Sequence, residues 1–165
     1  MRFSKLALVA SAVVLGACSG GDKSGTTTDS ATTAAPTTNT AAPATGTVAK
    51  APATGKVWEV KMIGDGTTYK FEPADITIKS GDAIKFIMVS GGPHNVAFDP
   101  TTVPAESKAQ LDGNMDQKMA ELSSPLLMNP NEAYVVSFGG VKPGSYPFHC
   151  TPHLAMGMKG TITVQ

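Results

Sequence analysis

Cys150, His153 and Met158 lie within one short stretch near the end of the chain, Cys-Thr-Pro-His-Leu-Ala-Met-Gly-Met. A further histidine, His94, follows a Gly91-Gly92-Pro93 turn more than fifty residues upstream. One thiolate, two imidazoles and one thioether are the donors of a trigonal copper centre with a weak axial methionine. An ion that alternates between Cu(I) and Cu(II) needs both soft sulfur and borderline nitrogen, and few other tasks ask for all four groups. Taken singly the residues say less: Cys150 reads equally well as a small buried apolar side chain, and His94 as a surface or satisfied core histidine. Together they predict one copper per chain.

The only other cysteine of the 165 residues is Cys18. Residues 1–18 read as an export signal, with Arg2 and Lys5 ahead of a short apolar run, Leu6 to Leu15. That run is shorter than the about 20 apolar residues a spanning helix takes. It ends in Leu15-Gly16-Ala17-Cys18, which resembles the lipobox of bacterial lipoproteins and implies acylation of Cys18. The resemblance implies an exported, periplasmic or cell-surface protein on a membrane anchor. Ser19 resembles an outer-membrane sorting residue if the host has two membranes. With Cys18 acylated, Cys150 has no disulfide partner, and an unpaired thiol in an oxidising compartment is best explained by metal ligation.

Residues 19–56 are Thr, Ala, Pro, Gly and Ser with few charges or large apolar side chains. Such a segment buries too little surface to offset chain entropy and is expected to be a disordered tether, with an average reach of roughly 30–35 Å. The folded part is then 57–165, enough for one core. It carries eight lysines against eleven carboxylates, a net −3, within a chain that is formally neutral. No basic stripe marks a nucleic-acid partner.

Short alternating runs fill this part. Trp58, Val60 and Met62 alternate with charged residues. Ile76 and Ile78 precede a Lys79-Ser80-Gly81-Asp82 turn, and apolar residues resume over 83–89. Further strands are expected at 94–98, 133–138, 145–150 and 159–164, punctuated by Gly139-Gly140 and Lys142-Pro143-Gly144. The pattern predicts an all-β Greek-key sandwich or barrel. The exception is 103–124, where one or two short helices are expected in a long crossover, with Met115 and Met119 packing at i, i+4 spacing.

Pro93-His94-Asn95-Val96 with Phe98-Asp99, and Gly144 to His153 followed by Gly157-Met158, resemble the two ligand segments of the plastocyanin-like cupredoxins. The resemblance runs over 57–165 and is densest in its last quarter. It implies His94, Cys150 and His153 in the copper plane and Met158 as axial donor, with spacing favouring Met158 over Met156. It also implies that Asn95 and Thr151 tie the ligand loops together. The exposed edge of His153, ringed by Gly91, Gly92, Pro93, Pro152, Leu154 and Ala155, is the expected electron port. The family usually has tyrosine before the cysteine; here His149 stands there, and strand alternation points it away from Cys150.

These features predict a monomeric, membrane-tethered blue-copper electron carrier without catalysis, docking transiently with a redox donor and a redox acceptor. Two alternatives compete. A copper-enzyme subunit would use His149 for a second metal, but three histidines in all leave too few ligands for a catalytic centre. A copper scavenging or delivery protein usually carries Met- and His-rich flexible tracts, whereas residues 19–56 contain neither.

Overall fold

The structure, a computed structural model, describes residues 48–165; the export signal, Cys18 and most of the expected tether lie outside them. Alternation along Trp58, Val60 and Met62 produces β1 (Val57–Gly64), with Val60 and Met62 fully buried and the intervening lysine and glutamate in water. The strands that follow are β2 (Tyr69–Glu72), β3 (Asp75–Ile78), β4 (Ala83–Met88) and β5 (Ala97–Phe98). After a helix, α1 (Ala105–Gly113), come β6 (Ala133–Ser137), β7 (Gly144–His149), a 3-10 helix (Thr151–Met156) and β8 (Lys159–Val164).

Two four-stranded sheets result, one ordered β2-β1-β4-β6 and the other β3-β8-β7-β5. β1 runs parallel to β4 and β3 parallel to β8, while the other pairs are antiparallel. The inward residues of both sheets meet in an aromatic core. Phe71 and Phe148 pack edge to face with centroids 4.7 Å apart, and Phe86 lies 5.5 Å from Phe148. Such offset aromatic pairs add about 0.5–1.5 kcal/mol each beyond their buried area. β7 delivers Tyr146, Phe148 and then Cys150 into this core, because every second residue of a strand shares a face.

Several expectations need correction. The strand expected at 94–98 is regular only at Ala97–Phe98; His94 instead makes a single bridge to Leu127. β2 was not expected at all, since Lys70 and Glu72 mask a short alternation of Tyr69 and Phe71. One helix forms in the crossover, burying only Ser107 and Leu111. It ends before Met115 and Met119, so these are not helix neighbours: Met115 joins the core and Met119 is 59% exposed.

The tether boundary also moves. Residues 48–56 lie along α1 and the end of β6 rather than free of the domain. The Asn114 side chain, wholly buried, accepts from the Ala51 amide at 2.8 Å and donates to the carbonyls of Ser137 and Gly139, each at 2.9 Å. Ser137 Oγ donates to the Ala51 carbonyl at 2.8 Å, and the amides of Thr54 and Gly55 both donate to the Gly81 carbonyl at 2.9 Å. Composition resembled a disordered linker, but these bonds satisfy backbone groups that composition cannot reveal.

Candidate metal centre

Cys150 follows directly on β7, where its side chain continues the inward row of Tyr146 and Phe148 and is fully buried. Its amide donates to the Met158 carbonyl at 3.0 Å. The intervening 3-10 helix is kinked at His153 (φ −116°, ψ 16°), and Gly157, at φ +81°, reverses the chain into β8. That left-handed conformation favours glycine, and the turn returns Met158 to the interior. Met158 is fully buried, whereas Met156 is 52% exposed.

His94 arrives from the other side, held by paired bonds between its main chain and that of Leu127 at 3.1 and 2.8 Å. Its Nε2 lies 2.8 Å from the Ser90 carbonyl. A carbonyl only accepts, so Nε2 carries the proton and Nδ1 keeps its lone pair. That Nδ1 stands 3.6 Å from Cys150 Sγ, and His153 Nδ1 stands 3.4 Å from the same sulfur. The three donor atoms lie within 4.8 Å of one another, and all three residues are buried.

The spacing suits one shared ion. Imidazole nitrogen and thiolate about 2.0 and 2.3 Å from a d-block metal stand about 3.7 Å apart at a trigonal angle. A soft thiolate with two imidazoles and a nearby buried thioether is the set that selects copper. Burial pushes the Cys150 thiol up, opposed by the backbone amides of Asn95 and His153. Burial, followed by the neighbouring His94, holds His153 below the usual imidazole range, in its neutral, ligating form.

Asn95 and Thr151 meet as expected. The Thr151 amide donates to Asn95 Oδ1 at 2.7 Å, and Asn95 Nδ2 donates to Thr151 Oγ1 at 3.2 Å and to Ser123 Oγ at 3.1 Å. The Asn95 carboxamide is therefore a strut between the two ligand loops. His149 is half-buried on the opposite side of its strand from Cys150 and stays outside the donor cluster. It lines a groove of about 680 Å³ together with Asp75, Asp99, Phe148 and Lys159. Burial holds its imidazole below the usual range, against the opposing pull of Asp99.

The residues expected to ring the electron port differ in exposure. Gly92, Pro152, Leu154 and Ala155 are exposed, and Gly91 and Pro93 are half-buried. His153 itself is only 6% exposed. Its ring is covered by Tyr69, stacked on it at 3.8 Å with an interplanar angle of 13°.

The model of copper-binding proteins of the plastocyanin/azurin family matches residues 58–165. The chain belongs to that family. It is 39% identical over 115 residues to the plastocyanin of Prochlorothrix hollandica, covering 70% of this chain and 78% of the relative. The chloroplastic plastocyanin of Physcomitrium patens is 38% identical over 112 residues, which cover 68% of this chain and 60% of that protein's length. Among solved structures, oxidised plastocyanin from Dryopteris crassirhizoma is 32% identical and covers 65% of this chain and 99% of its own, with a TM-score of 0.50. The two-sheet sandwich with a short helix is thus a cupredoxin fold. His94, Cys150, His153 and Met158 form its type 1 copper site.

Sequence reasoning missed three neighbours of this site. Ser90 acts through its main chain, which leaves no signature in residue type. Ser123 lies in a loop without periodicity. Tyr69 begins a strand that was not anticipated, although its place opposite Gly64 is a pairing a hairpin reading would have suggested.

Proposed function

We propose that this chain is a membrane-tethered blue-copper electron carrier that passes one electron at a time between transiently docked redox proteins. Membership of the plastocyanin/azurin family supports the carrier, and its plastocyanin relatives argue against an enzyme. The observation that carries the reading is the buried trio of His94 Nδ1, Cys150 Sγ and His153 Nδ1 converging on one point. Copper bound there supplies the one-electron couple. The protein's part is to keep the donors in one arrangement: Ser90 orients His94, Asn95 locks the loops, and strand ends fix Cys150 and Met158. A dry, stiff shell limits rearrangement as the charge changes.

Docking is supported by the loops around the site. Val89, Met119, Leu126, Met128, Leu154 and Met156 are all exposed there or in neighbouring loops. Methionine-rich surfaces adapt to more than one partner, and small apolar contacts suit brief redox encounters. The anchor rests on the lipobox resemblance at Cys18.

Adding Cu(II) to the purified protein tests the carrier. An intense blue thiolate-to-copper band with narrow EPR hyperfine splitting, one copper per chain, is expected, and Cys150→Ser abolishes it. A pale tetragonal spectrum would point to copper scavenging, and a second bound copper to an enzyme subunit. For the anchor, Cys18→Ser is expected to release the protein from the membrane fraction; unchanged fractionation removes that half of the proposal.

A further inference from the structure

We propose that Tyr69 is a positioning residue for His153, doing by ring stacking what the Ser90 carbonyl does for His94. The inference builds on the copper reading of the site. Metal-bound histidines are ordinarily oriented through their second nitrogen by an outer partner. His94 has one, since its Nε2 donates to Ser90 O at 2.8 Å. The Nε2 of His153 has none among the described residues. Among the described residues no buried side-chain nitrogen or oxygen is left without a partner, so this nitrogen lies at the surface, in the narrow part of His153 that water reaches. Its imidazole therefore lacks the bond that fixes the other one.

Tyr69 supplies a different restraint. Its ring lies nearly flat on His153, 3.8 Å between centroids and 13° between planes. The same ring meets His94 edge-on at 6.2 Å and 69°. Behind it stands Gly64, its direct partner across the β1–β2 ladder. A Cβ on Gly64 would come within 2.6 Å of Tyr69 Cδ1 and Cε1, closer than such atoms approach. The phenol is thus held in a slot with bare main chain on one side and the imidazole on the other. A ring clamped in this way can pivot little, and the imidazole stacked on it inherits the restraint. The consequence is that His153 Nδ1 faces Cys150 Sγ before metal arrives and stays there through a change of oxidation state.

Side-chain carbon relaxation of the two ligand histidines in the metal-free protein tests this, with Cu(II) affinity measured by chelator competition. In Tyr69→Leu, which keeps an apolar side chain over Gly64, His153 is expected to become mobile while His94 stays ordered. Cu(II) affinity should fall about two- to twelve-fold, the equivalent of one aromatic pair. Tyr69→Phe should restore both readouts, since the ring carries the effect. Gly64→Ala, which pushes the ring out of its slot, should move both in the same direction as Tyr69→Leu. An ordered His153 and unchanged affinity in Tyr69→Leu would overturn the proposal, as would a Tyr69→Phe protein as impaired as Tyr69→Leu. Because histidine order is read without metal, failure here is distinct from failure of the blue band on copper loading.

Discussion

At the scale of single residues, the site divides into atoms that hold the ion and atoms that hold those atoms. The first group was legible in the sequence because cysteine, histidine and methionine are rare, chemically specific and closely spaced here. The second group was legible only where a side chain did the work. Asn95 could be anticipated; the Ser90 carbonyl could not, since every residue has one. Asn95 shows how much such support is worth. Asn95→Ala leaves the Thr151 amide and hydroxyl and the Ser123 hydroxyl without their partner. Losses of this kind cost about 10–100-fold in metal affinity or activity, and about 1–3 kcal/mol of stability for each buried group left unpaired. Chelator competition and urea unfolding of the metal-free protein should both register the change, with the blue colour retained because all four ligands remain. An affinity unchanged by the substitution would mean that the ligand loops are held together by other contacts.

At the scale of elements, period-two alternation predicted most strands, and their ends shifted by a residue or two. Alternation failed where charge interrupted it, in β2, and where contacts ran through main-chain atoms, in residues 48–56. Asp82 is the junction of that second region. Its carboxylate accepts from the Lys56 amide at 2.8 Å, the Trp58 indole at 2.9 Å and the Lys79 amide at 3.0 Å. It thereby joins the N-terminal strap, β1 and the turn before β4. The Lys79 amide first, and then the Trp58 indole, hold its pKa below the usual carboxylate value. The sign follows from linkage: a carboxyl with a depressed folded-state pKa stabilises the fold above its unfolded pKa, near 3.8, and that contribution drains away as pH falls through the lower folded value. Acid unfolding of the wild type should therefore include a component below about pH 4 that Asp82→Asn lacks. At neutral pH the same substitution should cost about 1.5–3 kcal/mol, the worth of hydrogen bonds to a charged acceptor. Denaturant titrations at pH 7 and pH 3 separate the two effects. Equal destabilisation at both would show that Asp82 acts through shape rather than charge.

At the scale of the whole molecule, the question is how a partner finds the copper end. Half of the described lysines pair with nearby carboxylates: Lys108 with Glu121, Lys118 with Asp112, Lys50 with Asp116, Lys85 with Glu59 and Lys70 with Glu72. All five pairs reach water, so each adds little stability, yet each sets opposite charges side by side. Around the ligand loops the apolar side chains of Met119, Met128, Leu154 and Met156 are each about half-exposed. A surface of this kind offers contact without a long-range field. Steering by charge raises association rates by about 10- to 10³-fold at low salt, and raising ionic strength from 0.01 to 0.15 M shortens the screening length from about 30 Å to about 8 Å. Association with a redox partner should therefore change by no more than about threefold over that range, in contrast to a steered pair. Replacing Leu154 and Met156 with serine should weaken docking at every salt concentration, because the lost term is apolar burial, worth roughly 25 cal/mol per Å². Stopped-flow electron transfer across the salt series measures both. A steep fall in rate with salt would place the recognition in a charged segment beyond the apolar rim, and the serine variants would then dock as the wild type does.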